Sequence, residues 1–276
     1  MLRGGMKDRK GAAAKPAAAK PKGKIAAAEK LEGRAAHAQT SARPKRAAPK
    51  MESDKAPPSK KIRKAKKATS VAEEYQRWHG TYERTGLWHA VAQRFGPKQK
   101  VLYAGSFCHL SPSFVFDSVT YVDSDVRAER FFARKEEVAA LVSDRGGPKG
   151  AKFMFVRGDF EAPLSGVPDA SFDLLISQYS GFVGRACKRY LRVGGHLLCN
   201  DSHGDASLCA LDPDYELVAA VRRSGETYVL SEGDLSAEMT PKRRGEERYT
   251  AEKLEGSRRG QAFTNPAHSY VFCRSR

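Results

Sequence analysis

Between Lys100 and Asp201 the chain repeats one pattern: a short apolar run ending on a small or acidic residue, followed by a polar or helix-periodic stretch. The runs are KVLYAG (100–105), SVTYVD (118–123), KFMFVRGD (152–159), FDLLIS (172–177) and HLLCND (196–201). They are too short for buried helices and rich in β-branched and aromatic residues, so they predict strands. RAERFFARKEEVAALVSD (127–144) places Phe131, Val138, Leu141 and Val142 at helical spacing and stops before Gly146-Gly147. FVGRACKRYLRV (182–193) predicts a second helix, closed by a turn at Gly194-Gly195. Strands alternating with helices predict an α/β fold with a mainly parallel sheet. YELVAAV (215–221), TYVLS (227–231) and SYVFCR (269–274) follow with no full helix between them, which predicts antiparallel strands at the C-terminal end. The charged stretch from Ser231 to Gln261 reads mostly as loop.

Ahead of the first strand, Tyr75, Trp78, Tyr82, Leu87, Val91 and Phe95 recur at three- and four-residue steps. They predict an amphipathic helix, broken near Gly86 and ended by Gly96-Pro97. The α/β domain is therefore expected over residues 71–276. Residues 1–70 differ in kind. They are built from Ala, Lys, Pro and Gly, with no Phe, Tyr or Trp, and cannot bury enough apolar surface to offset the entropy of ordering. A disordered basic tail is expected there. It holds 21 Lys/Arg against 5 Asp/Glu, whereas residues 71–276 hold 28 against 27. All but one unit of the net charge of +17 thus belongs to the tail. PPSKKIRKAKK, at its end, reads either as a nuclear address or as a solvated arm that binds nucleic acid without sequence preference.

The five cysteines are odd in number and include no CxxC pair, which points to free thiols in a reducing compartment. No apolar run is long enough to span a bilayer, and none resembling a secretory signal follows Met1. An intracellular chain, nuclear or cytoplasmic and without a membrane partner, is the expectation.

Open α/β sheets bind ligands beyond the carboxyl ends of their strands. The residues after each strand are therefore the informative ones. VRGDFEAPLSGVPDASFDLLIS, LRVGGHLLCND and VTYVDSD resemble, in order and spacing, the corresponding stretches of the class I S-adenosylmethionine-dependent methyltransferases over about residues 98–205. The resemblance implies a Rossmann-like methyltransferase sheet and S-adenosylmethionine as cofactor. It implies that Asp123 accepts from the ribose hydroxyls and that Gly105 lets the backbone approach the cofactor. It further implies Asp159 on the adenine amino group with Phe160 beside it, and Ser177 and Gln178 at the methionine end.

One stretch departs from that pattern. The loop after the first strand is AGSFCHLSPS, with a single glycine where the family repeats glycines, and Tyr103 stands where the family has an acid. The departure favours a rival reading, a catalytically silent methyltransferase-like binding module with a nucleic-acid-binding tail. A nicotinamide-dependent oxidoreductase is opposed by the absence of G-x-G-x-x-G. NDSHGDAS puts His203 at a strand end, where it could act as general base or simply belong to a polar loop capped by Asp201 or Ser202. Asp201, His203 and Asp205 have no diagnostic metal spacing, and no metal is expected. SQYS after the fourth strand is not the Asn/Asp-Pro-Pro-Tyr/Phe motif of amino-group methylation on bases or glutamine. No Pro-Cys pair suggests methylation of cytosine C5.

Overall fold

Alternate residues of the central strands face two different cores. In the computed structural model, which describes residues 69–235, 237–242 and 249–276, Val101, Tyr103, Val119, Tyr121, Leu174 and Ile176 pack into one core. Leu102, Ala104, Val122, Leu175, Leu197 and Cys199 pack into the other. A strand buried on both faces reads as a continuous apolar run. Each large side chain so buried contributes about 1.5–3 kcal/mol.

The strands are β1 (Lys100–Ala104), β2 (Ser118–Asp123), β3 (Lys152–Arg157), β4 (Phe172–Ser177), β5 (Leu191–Cys199), β6 (Tyr215–Ser224), β7 (Thr227–Ser231) and β8 (Ser269–Arg274). They form one sheet in the order β3-β2-β1-β4-β5-β8-β6-β7. Pairing is parallel from β3 through β5 and antiparallel among β5, β8, β6 and β7. This is the Rossmann-like sheet with antiparallel C-terminal strands that the sequence predicts. The strand order reverses between β1 and β4, which places the switch point, and so the expected ligand crevice, beyond Ala104 and Ser177.

Helices α1 (Val71–His79) and α2 (Thr85–Phe95) replace the single helix expected over 71–95, and the break falls at Gly80–Arg84 rather than at Gly86. Glu83 explains the restart. Its carboxylate accepts from the Thr85 N–H and hydroxyl and from the Arg84 N–H, serving donors that the first turn of α2 leaves unpaired. Helices α3 (Val126–Ala133) and α4 (Lys135–Asp144) likewise divide the expected 127–144 helix at Arg134. The Arg134 guanidinium is drawn to the Thr69 carbonyl and the Glu74 carboxylate at the start of α1.

The helix expected over 182–193 is a single turn, α5 (Val183–Ala186), followed by a turn of 3-10 helix. Leu191 already pairs with Phe172, so Gly194-Gly195 lies inside β5 and does not close a helix. Gly194, at φ +75°, accommodates the irregular register there. Two short helices, α6 (Asp205–Cys209) and α7 (Ala251–Ser257), complete the described chain. No described helix is long and apolar enough to cross a membrane. The tail expected over 1–70 lies outside the described residues, apart from Thr69 and Ser70.

Candidate active site

The loop after β1 is built without repeated glycines because its side chains sink into the first core. His109 is buried, with Nδ1 3.0 Å from the Tyr103 hydroxyl and Nε2 2.8 Å from Ser111 Oγ. Ser111 Oγ also accepts from Trp88 Nε1 at 2.7 Å. Burial holds the His109 imidazole neutral, well below its ordinary pKa. Tyr121 closes a second buried set, with its hydroxyl 2.6 Å from Ser113 Oγ and donating to the Leu110 carbonyl at 3.0 Å. Tyr103 is thus one end of a chain of hydrogen bonds anchoring the loop.

That anchorage turns the loop onto Asp123. Phe107 takes φ +46°, a left-handed conformation that favours glycine. Its N–H donates to Asp123 Oδ2 at 2.7 Å, while the Asp125 N–H donates to Oδ1 at 2.8 Å. Each carboxylate oxygen keeps further lone-pair capacity, and the residue is half-exposed at the carboxyl end of β2. Asp125 caps α3 through the Arg127 N–H and pairs with the Arg127 guanidinium at 2.6 Å. That guanidinium lies 4.9 Å from the Phe107 ring centroid and 5.4 Å from that of exposed Trp78.

Gly105 has φ +67°, and a Cβ there would lie 2.4 Å from the Ser180 side chain. The clearance is used by Ser180, whose hydroxyl donates to the Gly105 carbonyl at 3.1 Å. Asp159 is exposed and accepts from the Glu161 N–H. Phe160 is half-buried, its ring tip 3.8 Å from where a Cβ of Gly181 would stand. Ser177 and Gln178 are both buried but point differently. Ser177 Oγ donates to Asp205 Oδ2 at 2.5 Å. Gln178 Nε2 donates to Ser269 Oγ at 3.4 Å, and its Oε1 is buried with no partner among the described residues.

Asp205 accepts from the Gly184 N–H as well as from Ser177. Asp201 accepts from the Ser207 N–H and hydroxyl. The two carboxylates therefore face protein donors and not His203, and no group of three such ligands among the described residues could hold a metal. Burial pushes the Asp205 carboxyl from 3.8 up to about 7 and that of Asp201 up to about 6. Because the folded chain keeps these protons to higher pH than the unfolded one, these two carboxyls take stability away as pH rises from 3.8 to about 7, while His79, His109, His196, His203 and His268, held below their ordinary pKa by burial, add stability as pH rises toward 6.5. Above about 6 the carboxyl contribution comes from Asp205, with a slope of at most about 1.4 kcal/mol per pH unit. Urea midpoints measured from about pH 6 to about 7 should show Asp205→Asn with a less negative slope than wild type. An unchanged slope would place the titrating group elsewhere.

His203 is exposed and sits at the end of a relay. Its Nδ1 is 2.9 Å from Ser202 Oγ, and Ser202 donates its hydroxyl proton to Asn200 Oδ1 at 2.9 Å. A serine has one hydroxyl proton, so the neutral imidazole carries its own on Nδ1 and leaves Nε2 as an acceptor. Partial burial and the Arg258 charge hold His203 below its ordinary pKa, so it is neutral near pH 7. Asn200 Oδ1 also accepts from the Tyr179 N–H at 3.3 Å, which ties the relay to the loop after β4. Tyr179, at φ +62°, is a second left-handed non-glycine residue beside the switch point. The sequence marks Tyr179 and Asn200 only as residues that follow strands, with no role, and does not mark Arg84, whose guanidinium rests 4.9 Å from the Tyr179 ring centroid. Their position immediately after β4 and β5 was the available signal for the first two.

No protein-family model matches the sequence, and no curated protein matches it. Among solved structures, a SAM-dependent methyltransferase from Thermotoga maritima is similar at 15% identity and TM-score 0.38, with 74% of this chain and 96% of that one covered. A methyltransferase from Geobacter sulfurreducens is similar at 12% identity and TM-score 0.39, over 58% and 86%. The YcgJ protein from Bacillus subtilis is similar at 19% identity and TM-score 0.30, over 42% and 51%. The chain spans about half the length of this last protein and of one from Bacillus halodurans. These likenesses assign no ligand.

Proposed function

We propose that this chain, whose sheet is that of the class I S-adenosylmethionine-dependent methyltransferases, binds S-adenosylmethionine beyond β1–β4 and methylates an acceptor. The observation that carries the reading is Asp123. It stands at the carboxyl end of β2 beside the switch point, fixed by two backbone N–H groups and still able to accept from a diol. Buried, unpartnered Gln178 Oε1 and Asn200 Nδ2 mark the neighbouring space as one that polar groups complete.

When bound, the cofactor supplies a sulfonium methyl group. Asp123 orients the ribose, exposed Asp159 meets the adenine amino group, and the Phe160 ring lies beside it. Gln178 faces the methionine end. Ser177 acts behind it, holding Asp205 and through Asp205 the Gly184 N–H. Gly105 serves by admitting Ser180, which closes the floor between β1 and β4. His203 accepts the acceptor's proton on Nε2.

Calorimetric titration of S-adenosylmethionine and S-adenosylhomocysteine into the full chain tests this, and saturable binding of both is expected. Silence with both at millimolar concentration would leave a methyltransferase-like binding module. We further propose that residues 1–70 hold nucleic acid through their lysines and arginines, with affinity falling steeply as salt rises through counterion release. Binding to duplex DNA that is insensitive to salt would remove the tail from that role.

A further inference from the structure

Four polar groups along the carboxyl edge of β1, β4 and β5 and the adjoining end of β7 are left without partners, and the contacts around them close a ring. Arg84, at the turn between α1 and α2, is half-buried, and its guanidinium meets the Tyr179 ring but no acceptor among the described residues. Neighbouring Glu83 is engaged by Tyr75, Thr85 and the Arg84 backbone. Across from it, Tyr228 on β7 packs so near the first turn of α2 that a Cβ on Gly86 would lie 3.2 Å from its ring. The Tyr228 hydroxyl is buried and unpartnered. Its ring meets His268 edge-on at 5.1 Å, His268 Nδ1 is 2.9 Å from Ser269 Oγ, and Ser269 accepts from Gln178. Gln178 precedes Tyr179, and the ring is complete.

The side chains of Gln178, Asn200 and Tyr228 are 4%, 6% and 8% exposed, so bulk water does not serve them. A buried polar atom left unmatched costs about 1–3 kcal/mol, and folded chains rarely leave several together. What they offer is specific. Arg84 supplies a planar array of donors suited to a carboxylate. The Tyr228 hydroxyl and Asn200 Nδ2 supply two more donors. Gln178 Oε1 supplies an acceptor, and Tyr179 and Tyr228 supply aromatic walls.

We infer that this ring is the acceptor's seat, and that the acceptor is a small aromatic carboxylic acid bearing a hydroxyl or amino group. Its carboxylate meets Arg84 and Tyr228, its ring lies against Tyr179, and its O–H or N–H rests on Gln178 Oε1 until His203 takes the proton. The inference rests on the methyltransferase reading only in taking the bound acid as the acceptor.

Ligand-detected saturation-transfer NMR on the full chain, with 4-hydroxybenzoate and its neutral amide 4-hydroxybenzamide as probes, tests the seat. The acid should bind at least about tenfold more tightly than the amide. Arg84→Gln should abolish that preference, Arg84→Lys should restore part of it, and Tyr228→Phe should weaken the acid severalfold. Equal binding of acid and amide, or a preference that survives Arg84→Gln, overturns the proposal. A second arm compares S-adenosylhomocysteine with 5′-methylthioadenosine, which lacks the amino-acid group. If Arg84→Gln weakens the former and spares the latter, Arg84 holds the cofactor's own carboxylate and the acceptor seat is refuted. If wild type binds 4-hydroxybenzoate with the expected preference but neither nucleoside, the methyltransferase reading fails while the carboxylate seat stands.

Discussion

Replacing His203 by Gln should lower methyl transfer by about 10²- to 10⁴-fold, the range that a positioned general base contributes, while leaving affinity for S-adenosylhomocysteine unchanged. The expectation follows from the relay. Asn200 takes the only hydroxyl proton of Ser202, so the imidazole keeps its proton on Nδ1 and leaves Nε2 as the acceptor. Because His203 is held below the ordinary histidine pKa, the base should stay active into mildly acidic solution and be lost only as pH falls through that lowered value. Ser202→Ala frees the tautomer and the ring orientation without removing the base. It should therefore cost less than His203→Gln and alter the acid limb of the pH–rate profile. Transfer of a tritiated methyl group to the acceptor, followed from pH 5 to 8, reads all three. Wild-type rates in His203→Gln would return His203 to the polar loop that the sequence also allowed.

The strands were legible for a physical reason. β1, β2 and β4 are buried on both faces, so their positions are apolar or aromatic whichever core they enter. β5 was legible only from His196 onward. Leu191–Val193 carry the same residue types that would extend a helix from Val183, and pairing of Leu191 with Phe172 decides for a strand. Local periodicity contains no such long-range term. The same holds at Arg134, where partners at the start of α1 interrupt an otherwise continuous helical pattern.

The site was legible by position and not by contact. Strand ends brought Asp123, Ser177, Gln178 and His203 into consideration, and all of them do lie at the carboxyl edge of the sheet. What each side chain touches was not readable. Ser177 and Gln178 are adjacent, yet one faces Asp205 on α6 and the other Ser269 on β8. The loop after β1 was the least legible stretch. AGSFCHLSPS looks too bulky to replace a glycine-rich turn. The side chains of His109, Ser111 and Ser113, however, go inward to Tyr103, Trp88 and Tyr121, and the backbone N–H of Phe107 donates to Asp123.

That backbone contact changes what substitution of Asp123 should do. As a ribose ligand alone, Asp123→Asn would be the milder change, since an amide oxygen still accepts. Here both carboxylate oxygens already receive backbone N–H groups, from Phe107 and from Asp125. An asparagine must turn its NH₂ toward one of these donors, which sets two donors face to face and leaves one N–H unsatisfied. Asp123→Ala removes both acceptors and the charge. Loss of a charge-assisted acceptor is worth about 1.5–3 kcal/mol, so Asp123→Ala should weaken S-adenosylhomocysteine by roughly ten- to a hundredfold. Asp123→Asn should fall close to Ala rather than close to wild type. Both variants should also speed amide hydrogen exchange at Phe107, because the loop loses the anchor that holds its left-handed residue. Calorimetry and exchange on the same samples separate the possibilities. If Asp123→Asn binds like wild type with Phe107 still protected, the carboxylate is not what fixes the loop. If Phe107 exchanges faster in both variants while S-adenosylhomocysteine binds undiminished, Asp123 is a loop anchor alone and the ribose site lies elsewhere.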